Sequence, residues 1–264
     1  MHLLRRELAP LEKESWEVID SRAAEVLKSR LSARKVVRVQ GPKGWDYTAI
    51  TEGKLSVKDD FEDEVKIGRY QIKPLIESHI SFSLNRWDMD NIVRGARDID
   101  LSPLENAAEK IALFEEETVY NGNEICDIKG ILGSVVWEPI DFGKNNADII
   151  MALIKAMDKM KKVYQQKPYT LVVGQQAWEM LNTEIQGYPF TKRIKDLIGG
   201  EIVQSRVVKN AILLPQDNED LELVLGGDYT IGYIAHDSKN VRLFIAMSFT
   251  FRVIDPQIII PFVL

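Results

Sequence analysis

Residues 241–264 read VRLFIAMSFTFRVIDPQIIIPFVL. From Leu243 to Val253 every odd position is apolar: Leu243, Ile245, Met247, Phe249, Phe251 and Val253. The even positions include Arg242, Ser248, Thr250 and Arg252. Alternation with period two marks a β-strand, and this one runs to twice the usual ~5–6 residues. A tail with almost no charge follows. Termini are loose and polar unless something ties them down. The stretch therefore predicts surfaces that other copies of the chain must cover.

Working outward, the whole chain of 264 residues is long enough for one large domain or two ordinary ones. Its 45% hydrophobic and 28% charged content places it among globular rather than disordered chains. The net charge of -6 comes with no basic block, so nucleic acid is not an expected partner. A single cysteine, Cys126, excludes an intramolecular disulfide and suits a reducing cytosol. The opening MHLLRRELAPLEKESW has no apolar core of a signal peptide. No apolar run reaches the ~18 residues of a membrane helix. A cytoplasmic protein without a membrane partner is expected.

Residues 10–35 read as an amphipathic helix, with Trp16, Ile19, Ala23, Val26, Leu27 and Leu31 at helical spacing. A short strand and a Gly-Pro turn follow in VVRVQGPKGW. WDYTAITEGKLSV and EVKIGRYQI then form a long β-ribbon joined through the acidic tip KDDFEDE. Two strands alone are marginally stable, so the ribbon needs a floor. Residues 74–95 give a strand and a short helix. Residues 100–122 give the best helix in the sequence, with Ser102 as cap, Pro103 at the first position and Glu105 completing a capping box. From about residue 136 strands and helices alternate. NADIIMALIKAMDKMKKVY is apolar around much of its circumference, which predicts a buried helix. The mixed order of elements makes the fold class α+β.

No residue pattern announces catalysis. There is no nucleophile elbow, no H-E-x-x-H, no P-loop and no G-x-G-x-x-G after a strand. His2, His79 and His236 stand far apart in sequence. Cys126 reads as a packed thiol. The acidic runs DDFEDE and FEEET read as solvated faces without a calcium-loop frame. Glu115, Glu116 and Glu117 sit on one helix, where about half of three neighbours can face one way. Catalytic residues and metal ligands are expected to be absent.

A set of short stretches nevertheless carries a resemblance. They are LAPL (8–11), Trp16 in the first helix, ARK (33–35), GPKGW (41–45), PLIE (74–77), WDMDN (87–91), GILG (130–133), PYTLVV (168–173), GYP (187–189), LGGDYTIGY (225–233) and VRLF…SFTFRV (241–253). In their order and spacing the chain resembles the encapsulins, shell proteins of hollow icosahedral nanocompartments. These share the fold of tailed-phage major capsid proteins. The resemblance implies an N-terminal part of a peripheral domain at 1–45 and an extended loop at 46–75 lying on a neighbouring subunit. It further implies the rest of the peripheral domain with its spine helix at 76–135, an axial domain at 136–222, and C-terminal strands returning to the peripheral domain at 223–264.

The function implied is architectural. About 60 identical copies, the smallest icosahedral number, would close a container. Cargo enzymes would enter through a C-terminal targeting peptide that lies in an apolar groove, here Leu27, Leu31, Arg34, Ile231 and Tyr233. Lys35 and Arg38 would add charge beside it. Glu184, Ile185, Gln186, Gly187 and Tyr188 would line a five-fold pore, with Glu184 favouring cations. Cargo in the family is commonly a ferritin-like protein or a dye-decolourising peroxidase, which implies iron storage or oxidative-stress defence. No cofactor is required. Some members hold a surface flavin at a tryptophan matching Trp87, with an arginine at the position of His79 here. A phage or prophage capsid enclosing DNA is one alternative reading, and a protease or bacteriocin another.

Overall fold

The computed structural model describes residues 3–58, 67–182, 184, 185 and 188–264. The chain runs α1 (Lys13–Arg30), β1 (Arg38–Gln40), the ribbon β2 (Ala49–Lys58) and β3 (Ile67–Pro74), β4 (Ile76–Asn85), α2 (Arg86–Val93), α3 (Ser102–Tyr120) and one turn, α4 (Gly130–Gly133). Then come β5 (Ile140–Asp141), α5 (Asn146–Lys162), β6 (Tyr169–Val173), α6 (Gln175–Leu181), the pair β7 (Glu184–Ile185) and β8 (Tyr188–Pro189), and α7 (Phe190–Ile198). The last strands are β9 (Ile202–Gln204), β10 (Ala211–Pro215), β11 (Leu221–Leu225), β12 (Thr230–His236), β13 (Asn240–Val253) and β14 (Ile260–Val263). Helices and two principal sheets mix in the α+β manner read from the sequence. Among the described residues no helix is long and apolar enough to cross a membrane.

The length of β13 has a simple cause. One of its edges pairs with β4 from Asn240 to Phe249. Its other edge carries two short strands end to end, β12 against Val241–Ala246 and β11 against Phe249–Val253. One long strand thus splints two short ones. The corner between them is Gly226-Gly227, where Ser248 N donates to Gly227 O at 2.8 Å. A Cβ on Gly227 would lie 2.3 Å from the Trp45 ring, so only glycine lets Trp45 close that corner.

Helix α3 lies against this sheet through Leu104, Ala107, Ala108, Ile111 and Ala112, and α1 packs beside it. The alanines let the helix come close, and each buried leucine or isoleucine contributes roughly 1.5–3 kcal/mol. Its start differs from expectation. Ser102 is already helical, and the side chain of Asp100 accepts from Ser102 N at 2.9 Å.

The second sheet has the order β5-β14-β10-β6-β9. One face, with Leu171, Val173, Leu213 and Phe262, packs on Ile149 and Leu153 of α5 and Phe190 and Ile194 of α7. The opposite face, with Val172, Ile212 and Leu214, belongs to the first core. Strands covered on both faces read as unbroken apolar runs, which explains YTLVV and AILLP. Helix α5 buries one face only; Met151 remains exposed.

The tail corrects the opening expectation. After a turn in which Asp255 accepts from Gln257 N, β14 inserts between β10 and β5. Ile258, Ile259 and Ile260 are fully buried, and Phe142 meets Phe262 edge to face at 5.3 Å. The long strand and the tail are covered by their own chain. β11 lies in the first sheet, while β14, within 223–264, lies in the second.

The ribbon is the opposite case. Leu55, Val57, Ile67, Tyr70 and Ile72 are all exposed, on both of its strands. The register shifts between Thr51 and Leu55, with Gly53 in the left-handed region at φ 68°.

Candidate functional site

A cleft of about 300 Å³ opens between the N-terminal segment, α1 and β12. Its walls include Ala23 and Leu27 from α1, Ile231 from β12 and Ile245 from β13 beneath. Helical spacing puts Ala23 and Leu27 on one face of α1. Leu4 and Arg6 close the remaining side. Arg6 Nε donates to Ile231 O at 2.9 Å, its Nη1 donates to Asp20 Oδ2 at 2.9 Å, and its guanidinium stacks 4.1 Å over the Trp16 ring.

The five residues expected to form a groove do not all reach this cleft. Leu27 and Ile231 share its wall. Leu31 lies buried in the main core. Tyr233 packs against the same core and shares a 2.6 Å hydrogen bond with His236 Nδ1. Arg34 is held in a network of its own. It donates to both carboxylate oxygens of Glu115, at 2.7 and 2.8 Å, and to Asp228 at 2.9 Å, over the Tyr229 ring. Burial opposes its charge, but Glu115 and Asp228 outweigh burial and hold the guanidinium above its ordinary pKa. Lys35 is exposed, and Arg38 turns to Glu219 at 2.6 Å.

This network is the part that sequence reasoning missed. Glu115 and Glu116 are both buried, not solvated. Glu116 accepts from Ala33 N at 2.7 Å and from the Ser32 hydroxyl. Burial pushes its pKa up to about 7, against the hydrogen bonds that pull it down. Burial likewise raises Tyr229, helped by Glu115. The pair thus anchors the turn after α1 and the corner before β12 to α3. The signal available was the apolar flank of LFEEETVY, which requires part of the run to turn inward.

Other expected positions are more scattered. Trp87 is 65% exposed at the start of α2, with Arg94 5.8 Å from its ring. His79 lies six residues before Asn85 on β4, about 20 Å along an extended strand. It meets Glu77 at 2.5 Å and Phe244 at 5.3 Å. Of the expected pore residues, Gln186 and Gly187 lie outside the described residues, as do the side chains of Glu184, Ile185 and Tyr188. Their backbones pair Glu184 with Pro189 and Ile185 with Tyr188. Among the described residues no three His, Cys, Asp or Glu side chains group to hold a metal ion. Burial pushes the Cys126 thiol up, away from the thiolate a nucleophile needs.

Comparison with known proteins follows the same lines. The profile of a family described as "encapsulating protein for peroxidase" matches residues 1–250. A type 1 encapsulin shell protein of Rhodospirillum rubrum is 32% identical, over 99% of this chain and 96% of that one. Among solved structures, a virus-like particle from Pyrococcus furiosus superposes with a TM-score of 0.66 at 18% identity, over 92% of this chain and 97% of that one. The capsid of Myoviridae phage XM1 gives 0.61 at 10% identity, over 88% and 91%. At such identities the two structures speak for the fold, that of tailed-phage capsid proteins.

Proposed function

The chain belongs to the encapsulin shell proteins, and from that premise we propose that it builds an icosahedral compartment of about 60 copies that encloses a cargo enzyme. The observation that carries this reading is the ribbon. β2 and β3 expose apolar residues on both strands and, among the described residues, pair with no other strand. A neighbouring subunit supplies the missing floor, as obligate interfaces do over more than ~2,000 Å². The role is architectural, and the compartment belongs in the cytoplasm.

The cargo enters by an extended C-terminal peptide whose apolar side chains seat in the cleft between α1 and β12, with Leu27 and Ile231 as its floor. Many such sites on one inner surface raise the effective concentration of weakly held cargo. A ferritin-like protein or a peroxidase is the proposed cargo; the family's description, which names a peroxidase, supports the second. Iron storage or peroxide defence follows as the physiology. The loop at 184–188 forms the five-fold pore for small solutes.

The test is expression of the chain alone, size exclusion and negative-stain electron microscopy. Uniform hollow spheres are expected, with an absorbance ratio of protein free of nucleic acid. A monomer or small oligomer overturns the compartment, and packaged DNA favours a phage capsid. For the cargo step, co-expression with a peroxidase or ferritin-like partner is expected to load it only while its C-terminal peptide is intact.

A further inference from the structure

Among the described residues, strand β12 pairs only with β13, along one edge. Its outer edge offers Tyr233 N as a donor and Ile231 O as an acceptor. Unpaired strand edges invite an added extended chain. Both groups are taken by the chain's own beginning: Leu4 O accepts from Tyr233 N at 2.8 Å, and Arg6 Nε donates to Ile231 O at 2.9 Å. The contact is close enough that a Cβ on Gly232 would lie 3.0 Å from Leu4 O.

This segment is lightly held. The single helical turn at Arg6–Leu8 buries no residue, and Leu3 and Leu8 are 50% and 58% exposed. One backbone bond and one side-chain bond stand where a strand would form a ladder. The Arg6–Asp20 pair that fastens them is bidentate, but both partners remain partly exposed to water. A register shift between Tyr233 and Ala235 ends the flat edge just beyond. The dockable edge is therefore short, and the segment fills it.

We infer that residues 3–8 are a displaceable strap, and that an extended apolar peptide entering the cleft takes its place at Tyr233 N and Ile231 O. The inference rests on the cleft being the cargo site. It adds that loading is an exchange, with the strap covering the β12 edge and one cleft wall until a peptide replaces it. Loosening the strap exposes the edge and strengthens peptide binding.

The experiment uses shells of the full chain and of Arg6→Ala, each dissociated and reassembled in the presence of the probe so that it reaches the inner surface. The probe is a fluorescent peptide of this chain's own residues 3–11, LLRRELAPL, which carries the backbone the edge already accepts. It is expected to bind Arg6→Ala shells at least ten-fold more tightly than parent shells. Hydrogen exchange at Tyr233 N is expected to quicken at least ten-fold in the variant. Equal binding to both shells, or unchanged exchange at Tyr233, overturns the strap. If Arg6→Ala shells do not form, Asp20→Asn loosens the same clasp with the same two readouts. Failure of the cleft as a cargo site shows separately, as cargo loading that ignores loss of the cargo's C-terminal peptide.

Discussion

Two extended, apolar regions of this chain meet opposite fates. The tail of β13 and β14 passes between the two sheets and is buried by its own chain, Phe262 to 2% exposure. The ribbon of β2 and β3 carries a comparable set of apolar side chains and leaves Tyr70 74% exposed. Apolar sequence alone does not say who covers it. What decides is whether strands of the same chain flank it. β14 has β10 and β5 on its two sides, while among the described residues β2 and β3 pair only with each other. The first region makes the subunit; the second is the one proposed to make the assembly.

The sharpest way to break this contrast is to remove one region and watch the other. Replacing residues 51–72 with a short Gly-Ser turn is expected to abolish shells entirely. The subunit should keep its near-ultraviolet circular dichroism and unfold cooperatively. Light scattering after size exclusion reads the first outcome and thermal melting the second. Shells that still form without the ribbon would break the comparison.

Truncation inside the self-covered region should do the reverse. Phe262→Ala removes a ring packed edge to face on Phe142. Emptying such a site costs about 3–5 kcal/mol, measured by urea unfolding of dissociated subunits. A change below about 1 kcal/mol would mean that the tail is not held by its own chain.

The buried carboxylate sharpens the contrast by pH. Glu116 has a folded pKa of about 7 against an ordinary 4.5, so the folded state holds its proton more tightly. Its contribution is fully present below pH 4.5 and is lost as pH rises through 7. At about 1.4 kcal/mol per pH unit, the loss comes to about 3 kcal/mol. Glu116→Gln is expected to flatten the fall in subunit stability between those values. A variant whose stability falls as steeply as the parent's would remove Glu116 as the cause.

Tyr70→Ala should show the smallest effect on the subunit, within about 0.5 kcal/mol. Shells carrying it are expected to dissociate at lower denaturant than parent shells. Equal loss in subunit and shell would place Tyr70 in the subunit's own core.

These regions also show how far the sequence could be read. Period-two alternation from Leu243 to Val253 identified β13, and helical spacing identified α1 and α3, because both signals are local. The reason for the length of β13 was hidden, since β11 and β12 meet on its edge only after folding. So was the fate of the tail, whose partners β5 and β10 lie far back in the chain. Glu115 and Glu116 read as solvated because the cation that answers Glu115, Arg34, stands 81 residues away. For the same reason Arg34 was assigned to the groove, while its side chain points to α3. The ribbon alone was legible in both respects, as a structure and as a surface without a floor.

The most direct test compares hydrogen exchange in assembled shells with that in dissociated subunits. The account predicts that the amides of Ile260, Phe262 and Val263 exchange slowly in both states. It predicts that the ribbon, from Ala49 to Pro74, is protected only in shells. A tail that loses its protection on dissociation, or a ribbon equally protected in both states, would contradict it.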